Sequence, residues 1–535
     1  MSSSSWSVWL RPHHYSESPA VFRLVVAAFS GVALAFAYIG IRETALSWVC
    51  VGSLMIVLFG ALPRFAALGG FLHGFAFVLG CLSWIATVLE VHGGLSRLAG
   101  IGVLLLIAAT WGGLTALFAW VVNRLAAKSI SRACLAAPFA WVAVEFLRNR
   151  LPEIGFPWNL LGYPAAANLA FVQMTAVTGI FGLSFVVAAY NALLAWANSA
   201  PERTSGGVRY GILGGVTLVL LGIGFAGPRF VPQAHAGHTA RLLQPNLPEE
   251  LVYPSDWFRA HEADVADLER LSLLPGAPPH DLLVWPEVPA PFSYEDQRFA
   301  LRGYALAGAA GVPFLSGAIE WKPVLDSTGR VSRYLPYNSA VLVDAQGKVT
   351  FSYDKVHLVP FGEYEPFPLI HRVVKSLSDQ VGGFEAGSVR PVGVLPNGHR
   401  FGAFICYEAI FPGEVRQYAA NGAELLINIS NDGWFGRSAA PDQHLRMARL
   451  RAVENRRWLL RDTNSGYTVS VDPYGRIVAS LAPDSRASLD APYDFRSDRT
   501  LYVRWGDWVA WLCVFVTIYS LVFGSRKISA LKRRR

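Results

Sequence analysis

Residues 401–413 read FGAFICYEAIFPG, and the interpretation of the C-terminal half of the chain starts from this stretch. Its first five residues are small or apolar, which is typical of a strand buried within a sheet. The run ends on Cys406, and Glu408 follows two residues later. Because α/β folds assemble their sites where strands end, Cys406 is a candidate nucleophile.

The other cysteines of the chain have different surroundings. Each lies within a long apolar stretch, namely Cys50, Cys81, Cys134 and Cys513. In such stretches a thiol usually acts as a small hydrophobic group. The sequence therefore leaves Cys406 without a partner for a disulfide and favours a chemical role for it.

Short apolar runs alternate with amphipathic stretches on both sides of this segment. Strand candidates are TARLLQPN, DLLVWPE, VPFLSGAIE, YNSAVLVDAQG, KVTFSYDK, AELLINISN, WLLRDTNSG and YTVSVDPYGRIVAS. HEADVADLERLSLL and DQRFALRGYALAGAAG have the spacing of helices packed on a sheet. The alternation predicts an α/β fold for a water-soluble domain over residues 228–504.

The rest of the chain is too apolar for a soluble protein. Hydrophobic residues make up 53% of the 535 residues and charged residues only 16%. A helix needs roughly 20 mostly apolar residues to cross a bilayer. We identify eight candidate spans, at 24–41, 44–62, 65–89, 98–122, 133–144, 169–197, 210–227 and 508–525. The fifth is short and runs into Glu145 and Arg148.

These segments predict an α-helical transmembrane bundle of about eight helices in addition to the α/β domain. Residues 1–227 form an N-terminal transmembrane region of seven helices, and residues 505–535 form a last span with a basic tail. The tail, SRKISALKRRR, indicates a cytoplasmic C-terminus because positive charges favour that side. With eight spans the N-terminus is also cytoplasmic, and the soluble domain lies outside. A basic run next to a span is typical of a topology signal, so we expect no nucleic-acid partner.

Three polar positions follow apolar strands and together suit nucleophilic catalysis. Glu287 ends DLLVWPE, and FSYDKVHLVPFGEYEPF supplies Lys355 and Glu363. The thiol of Cys406 needs a base during attack, and Glu287 can be that base. An oxyanion formed on a carbonyl substrate needs a fixed donor such as the Lys355 ammonium group. Glu363 and Glu408 could hold the lysine charged and oriented.

The segments WPE, DKVHLVPFGE, CYE and NISNDGWFG, in this order and behind seven spans, resemble the bacterial apolipoprotein N-acyltransferase family. Residues 228–504 by themselves resemble the nitrilase superfamily. That resemblance implies an α-β-β-α sandwich with a Glu-Lys-Cys triad. It gives Glu287 as general base, Lys355 as oxyanion stabiliser and Cys406 as nucleophile.

The resemblance also implies residues around the triad. Glu363, Tyr407 and Glu408 are implied as supporting residues. Asn338 in YNSAV, Trp434 in NDGWFG and Tyr253 in LPEELVYPSDW are implied as substrate-binding residues. The family usually has a tryptophan where this chain has Tyr253, with Trp257 nearby.

The family reaction is the last step of bacterial lipoprotein maturation. The resemblance implies that Cys406 takes an acyl chain from the sn-1 ester of a phospholipid, typically phosphatidylethanolamine, and forms a thioester. The acyl chain then passes to the N-terminal α-amine of an S-diacylglyceryl-cysteine apolipoprotein. No metal and no organic cofactor is expected. The expected location is the bacterial inner membrane, with a periplasmic catalytic domain and a functional monomer.

Two alternatives remain open. In a membrane-tethered hydrolase, water rather than an amine would resolve the thioester. In a transporter or lipid-binding protein, polar residues within the spans would mark the pathway, and His73, Glu145 and Arg148 are the ones present.

Overall fold

The structure is a computed structural model. It describes residues 19–40, 42–151, 155–199, 204–250, 254–274, 279–288, 290–360, 362–364 and 383–532. The chain divides into two compact units. One comprises residues 1–86, 101–231 and 507–535, and the other comprises residues 87–100 and 232–506. We call them the membrane unit and the catalytic unit.

Apolar helices make up most of the membrane unit. Two helices, Trp84–Val91 and Arg97–Ala126, also include residues that belong to the catalytic unit. Five helices are long and apolar enough to cross a membrane: Pro63–Cys81, Arg97–Ala126, Ile130–Asn149, Thr175–Ser199 and Gly206–Phe230. Three further apolar helices are shorter: Ala20–Phe36, Thr44–Leu58 and Trp508–Phe523. Over the described residues each of these eight helices overlaps one of the eight predicted spans. Shorter helical segments are Trp84–Val91, Gly162–Ala165 and Leu169–Val172.

The fifth predicted span is longer than its apolar core suggests. The helix begins at Ile130, where the Ser129 side chain accepts a hydrogen bond from the Arg132 amide, and it continues to Asn149. Glu145 and Arg148 do not end it, because both are buried and bonded inside the unit. Glu145 Oε1 accepts from the Leu161 amide at 2.7 Å, and Arg148 Nη2 donates to a backbone carbonyl at 3.1 Å. Such internal partners lower the cost of charged groups in a span.

Twelve strands are described in the catalytic unit. They are β1 His238–Gln244, β2 Leu282–Val284, β3 Phe314–Leu325, β4 Val331–Val343, β5 Val349–Asp354, β6 Gly393–Val394, β7 Arg400–Ile405, β8 Leu425–Ser430, β9 Trp458–Thr463, β10 Val469–Val471, β11 Ile477–Ser480 and β12 Ala487–Tyr493. They form two six-stranded sheets, in the orders β12-β1-β2-β3-β4-β5 and β11-β10-β9-β8-β7-β6. In each sheet three adjacent strands run parallel, β1-β2-β3 in the first and β7-β8-β9 in the second.

The two sheets pack face to face because the parallel strands are apolar on both faces. The central layer contains Leu282 and Val284 from the first sheet and Ile405, Ile427 and Leu460 from the second, all fully buried.

Helices cover the outer face of each sheet. On the first sheet they are Trp257–Ala260, Glu262–Ser272 and Gln297–Ala310, and on the second Pro412–Ala420 and Ala440–Asn455. The remaining helices of the unit are the 3₁₀ helices Cys406–Ile410 and Asp432–Phe435 and the helix Leu501–Trp505. The predicted α-β-β-α sandwich is confirmed.

The ends of the strands place the candidate residues. Cys406 follows β7 directly, and Lys355 follows β5 directly. Glu287 lies three residues beyond the end of β2, and Asn431 is the residue after β8. Both sheets therefore contribute to one region of the catalytic unit.

Candidate active site

The side chain of Lys355 is the centre of the site. It is only 1% exposed, and its Nζ donates to Glu287 Oε1 at 3.0 Å and to Glu363 Oε1 at 2.9 Å. Burial alone would favour the neutral amine, but the two carboxylates outweigh it and raise the pKa of Lys355 well above its usual range. Lys355 is therefore a permanent cation in this site.

Glu287 is held from several directions. Its Oε1 accepts from Lys355 and, at 2.8 Å, from Asn338 Nδ2. Its Oε2 accepts from the Asn431 backbone N–H at 2.9 Å. The carboxylate thus has a defined orientation between the two sheets.

Asn338 on β4 links the two acids of the site. Its Nδ2 donates to Glu287 Oε1 and to Glu363 Oε1, each at 2.8 Å, and the residue is 4% exposed. Its backbone oxygen accepts from the Lys355 amide at 2.8 Å. Sequence similarity implied a substrate contact for Asn338, and the structure places it among the charged groups.

Cys406 stands at the start of its 3₁₀ helix with a φ of +46°. A residue with a Cβ pays about 1–3 kcal/mol for this left-handed conformation, so the surrounding structure must hold it. The residue is 6% exposed, and its thiol is close enough to Glu287 and Lys355 for their charges to affect it. Burial, the Glu287 charge and the Asp432 charge raise its pKa, and Lys355 opposes them only in part. The resting group is a thiol, which needs a base when it attacks.

Glu408 ties together the ends of two strands from different sheets. Its Oε1 accepts from the Val356 and His357 amides at 2.9 and 3.1 Å, directly after Lys355. Its Oε2 accepts from the Ile405 amide at 2.8 Å, directly before Cys406. The acid thus acts on the backbone next to Lys355, whereas the contact with the lysine ammonium belongs to Glu363.

The other predicted residues are distributed around this core. Tyr407 packs edge-on against Phe411, with ring centroids 5.2 Å apart. Trp434 packs against His92, with centroids 5.1 Å apart. Tyr253 lies outside the described residues. Trp257 is 3% exposed and belongs to the core between the first sheet and its helices, where it stacks on a histidine ring.

Sequence reasoning missed a second polar cluster beside Cys406. Asp432, His444 and Arg461 are all fully or almost fully buried. Asp432 accepts hydrogen bonds from Arg461, and a ring nitrogen of His444 lies 3.1 Å from the Cys406 backbone oxygen. The available signal was DGW directly after the strand AELLINISN, the same strand-end position that identified Cys406.

Glu249 was also missed. Its Oε1 accepts from Asn464 at 2.8 Å and its Oε2 from Asn431 at 2.7 Å, and Asn431 in turn donates its backbone N–H to Glu287. Burial and the nearby Glu287 and Asp432 charges raise the pKa of Glu249 to about 7. Its segment, LPEE, contains two adjacent acids, and nothing in that pattern distinguishes the one that bonds to Asn431 and Asn464.

Three donor atoms near the site could in principle hold a metal. The Cys406 sulfur, a carboxylate oxygen of Asp432 and a ring nitrogen of His444 lie within 4.8 Å of one another. Arg461 already binds both carboxylate oxygens, at 2.9 and 2.7 Å, and both ring nitrogens of His444 face protein atoms. A cation would have to displace the guanidinium group, so these residues do not suit a metal.

Two family models match this chain, one in each half. Residues 251–495 match the family model for carbon-nitrogen hydrolases, and residues 30–193 match that for the apolipoprotein N-acyltransferase N-terminal domain. A solved amidase from Nesterenkonia sp. aligns with 51% of this chain and 94% of its own, at 20% identity and a TM-score of 0.35.

Full-length relatives match both units. An apolipoprotein N-acyltransferase of Geobacter metallireducens is 34% identical over 521 residues, which cover 96% of this chain and 95% of the relative. One of Brucella melitensis biotype 1 is 33% identical over 506 residues, covering 92% and 91%. With this identity over almost the whole length and both domain models in order, the chain belongs to the apolipoprotein N-acyltransferase family.

Proposed function

We propose that this protein transfers an acyl chain from a phospholipid to the N-terminal amine of a diacylated apolipoprotein, through a thioester on Cys406. The observation that carries the proposal is the buried Lys355 ammonium group, held between Glu287 and Glu363 beside the Cys406 thiol. A cation, a base and a nucleophile in one buried region are what acyl transfer requires.

In the first step Glu287 takes the thiol proton while the Cys406 sulfur attacks the sn-1 ester carbonyl. The carbonyl oxygen becomes negative and is stabilised by the Lys355 ammonium group. When the tetrahedral intermediate collapses, the ester C–O bond breaks and Glu287 returns the proton to the leaving oxygen. The products are a thioester on Cys406 and a lysophospholipid. The hydrogen bond from the Asn431 amide to Glu287 supports this role, because it fixes the orientation of the carboxylate.

In the second step the free α-amine of the acceptor attacks the thioester carbonyl. Glu287 takes a proton from the amine, the C–S bond breaks, and Glu287 returns that proton to the Cys406 sulfur as the amide leaves. The two substrates thus react in turn at one cysteine, in a ping-pong order. Glu363 and Glu408 support the step by keeping Lys355 charged and the backbone beside Cys406 in place.

The substrates are lipids, which suits a chain with a membrane unit. We expect phosphatidylethanolamine as donor and an S-diacylglyceryl-cysteine apolipoprotein as acceptor. The basic tail after the last helix favours a cytoplasmic C-terminus, so the catalytic unit faces the periplasm of a bacterial inner membrane. Asn338, Trp434 and Tyr253 are the proposed substrate contacts. The enzyme is proposed to be a monomer.

The test is the intact mass of the purified protein after incubation with a defined phospholipid. We expect the mass of one acyl chain to be added, and to be lost when a diacylated peptide with a free N-terminal amine is supplied. The same peptide with an acetylated N-terminus should leave the adduct in place, and Cys406→Ala should acquire no adduct.

The outcome also separates the acyltransferase from a hydrolase. If the adduct disappears into free fatty acid without any peptide, water resolves the thioester and the transferase proposal fails. If the adduct forms on Cys406→Ala, the nucleophile is another residue.

A further inference from the structure

The backbone carbonyl of Cys406 has a partner that the acyl-transfer steps do not use. His444, on the helix Ala440–Asn455, places its Nε2 3.1 Å from the Cys406 oxygen. Because a carbonyl oxygen only accepts hydrogen bonds, Nε2 must carry the hydrogen and donate it. His444 is 0% exposed, so water does not compete for this bond.

The other ring nitrogen of His444 is held by a buried ion pair. With the ring hydrogen on Nε2, Nδ1 accepts a hydrogen bond from Arg461 Nη2 at 3.2 Å, and Asp432 Oδ1 lies 2.9 Å from the same nitrogen. Arg461 itself donates to both Asp432 oxygens and also to Asn428 on β8. The imidazole is therefore clamped to the strands of the second sheet, and its orientation is set independently of Cys406.

The ring of His444 contacts the backbone of Cys406, which has an unfavourable conformation. Cys406 has a φ of +46°, a conformation that residues other than glycine rarely adopt. The direction of its carbonyl and that of its side chain depend on the same backbone dihedrals. A hydrogen bond to the carbonyl from a rigid, buried donor stabilises that conformation and hence the position of the sulfur relative to Lys355 and Glu287.

We propose that His444 is a positioning residue for the nucleophile, acting through its hydrogen bond to the Cys406 carbonyl, with Asp432 and Arg461 orienting the imidazole. The inference rests on the proposed function only in taking Cys406 as the acylated residue. His444 is assigned to the Cys406 backbone and not to substrate binding, so its loss should lower the acylation rate and leave phospholipid binding unchanged.

Two amide variants test the hydrogen bond with matched chemistry. In His444→Gln the side-chain N–H reaches about as far as Nε2 and can still donate to Cys406. In His444→Asn the side chain is one methylene shorter, so it keeps a polar group near Asp432 but cannot reach the carbonyl. Both are purified as the full chain, and acylation of Cys406 by phospholipid is followed by intact mass at several phospholipid concentrations.

We expect His444→Asn to acylate about 10- to 100-fold more slowly at saturating phospholipid with an unchanged KM, because a small displacement of a reacting group has an effect of this size. His444→Gln should stay close to the native rate, since its side-chain amide keeps the donor. Equal rates for the two variants, whether native or impaired, would overturn the proposal. So would a change confined to KM, or failure of both variants to accumulate as folded protein.

Two further outcomes would point to a different cause. If the native protein itself forms no adduct, the proposed function fails rather than the role of His444. If a chelator lowers the native acylation rate as much as His444→Asn does, the cluster holds a metal and the positioning role is wrong.

Discussion

At the scale of single residues, the charge of Lys355 is what the neighbouring acids are arranged around. Glu287, Glu363 and Asn338 all bond within this group, and the lysine is the one cation in direct contact with both acids among the described residues. Removing it would leave two buried carboxylates facing each other. Leaving a buried charge without its partner destabilises the folded protein, whereas replacing all the charged partners by apolar residues often has little effect on the free energy of unfolding.

We therefore expect Lys355→Met to lower the acylation rate about 100- to 1000-fold, since an electrostatic donor to the oxyanion is lost. The same variant should be destabilised by about 3–5 kcal/mol because a buried ion pair is broken. Intact mass after single-turnover acylation measures the first effect, and thermal unfolding in detergent measures the second.

A second substitution separates the two effects. In Lys355→Met combined with Glu363→Gln, one of the stranded carboxylates is neutral, so part of the stability should return while acylation stays slow. If acylation recovered with stability, Lys355 would be structural and the oxyanion would be stabilised by other donors.

Glu249 gives a prediction for pH. Its pKa is raised to about 7, so the folded protein favours the protonated acid. That contribution to stability is complete below the unfolded value near 4.5 and is lost as the pH rises through about 7. Glu249→Gln has a neutral side chain at every pH. The Tm of this variant minus that of the native protein should therefore increase as the pH is raised from 5 to 8.

Exposed acids serve as the control for this measurement. Glu262→Gln, at the start of a helix and in solvent, should show no such growing difference. A Tm difference for Glu249→Gln that is constant with pH would show that Glu249 has the same protonation state folded and unfolded.

At the scale of elements, the packing of β3 against the loop that carries Glu287 leaves no room for a methyl group. A Cβ on Gly317 would lie 2.4 Å from the Pro286 oxygen, 2.6 Å from the Val288 nitrogen and 2.8 Å from the Glu287 Cα. All three are backbone atoms, so the loop itself must move. Glycine at this position allows the loop that carries Glu287 to lie directly against the neighbouring strand.

Gly317→Ala should consequently lower the acylation rate by about 100-fold, since a displacement near 1 Å at a reacting group has that effect. Gly308→Ala is a suitable control, because its Cβ would meet only a carbonyl oxygen at 3.7 Å. Comparable losses in the two variants would mean that the effect arises from general destabilisation. Acylation rates of both are measured alongside their Tm values.

The strands also show how much of the fold could be predicted from the sequence. Period and composition predicted the strands that became β1–β5 and β7–β11, since each contains an apolar or an alternating run. They missed β6, which has two residues, and β12, whose ASLDAPY contains Asp490 and Pro492. β12 exists through its pairing with β1, where Arg241 bonds to Asp490 at 2.9 Å. Such a partner 249 residues away leaves no local signal.

The same limit applied to the site. Strand ends and residue types were enough to predict the group formed by Glu287, Lys355, Glu363 and Cys406. The hydrogen-bond partners of Asn338, Glu408 and His444 could not be predicted, because they depend on which strands are neighbours in the fold. Sheet order is decided by packing across the whole unit, so these contacts appeared only in three dimensions.

At the scale of the whole molecule, orientation in the membrane is the property that function most depends on. The tail SRKISALKRRR predicts that a C-terminal fluorescent protein will fold in the cytoplasm and that a C-terminal alkaline phosphatase will be inactive. An epitope placed at Gly329, in the exposed turn between β3 and β4, should be reached by antibody in intact spheroplasts. Staining only after permeabilisation would reverse the assigned orientation and exclude periplasmic acyl transfer.

The distribution of sulfur in the chain has a practical consequence. Cys406 is the cysteine of the catalytic unit, and Cys50, Cys81, Cys134 and Cys513 lie in the apolar helices of the membrane unit. A water-soluble, chain-bearing acylating probe would thus mark one sulfur per molecule. Its stoichiometry would count the competent fraction of any preparation, which makes active-site titration feasible without engineering the protein.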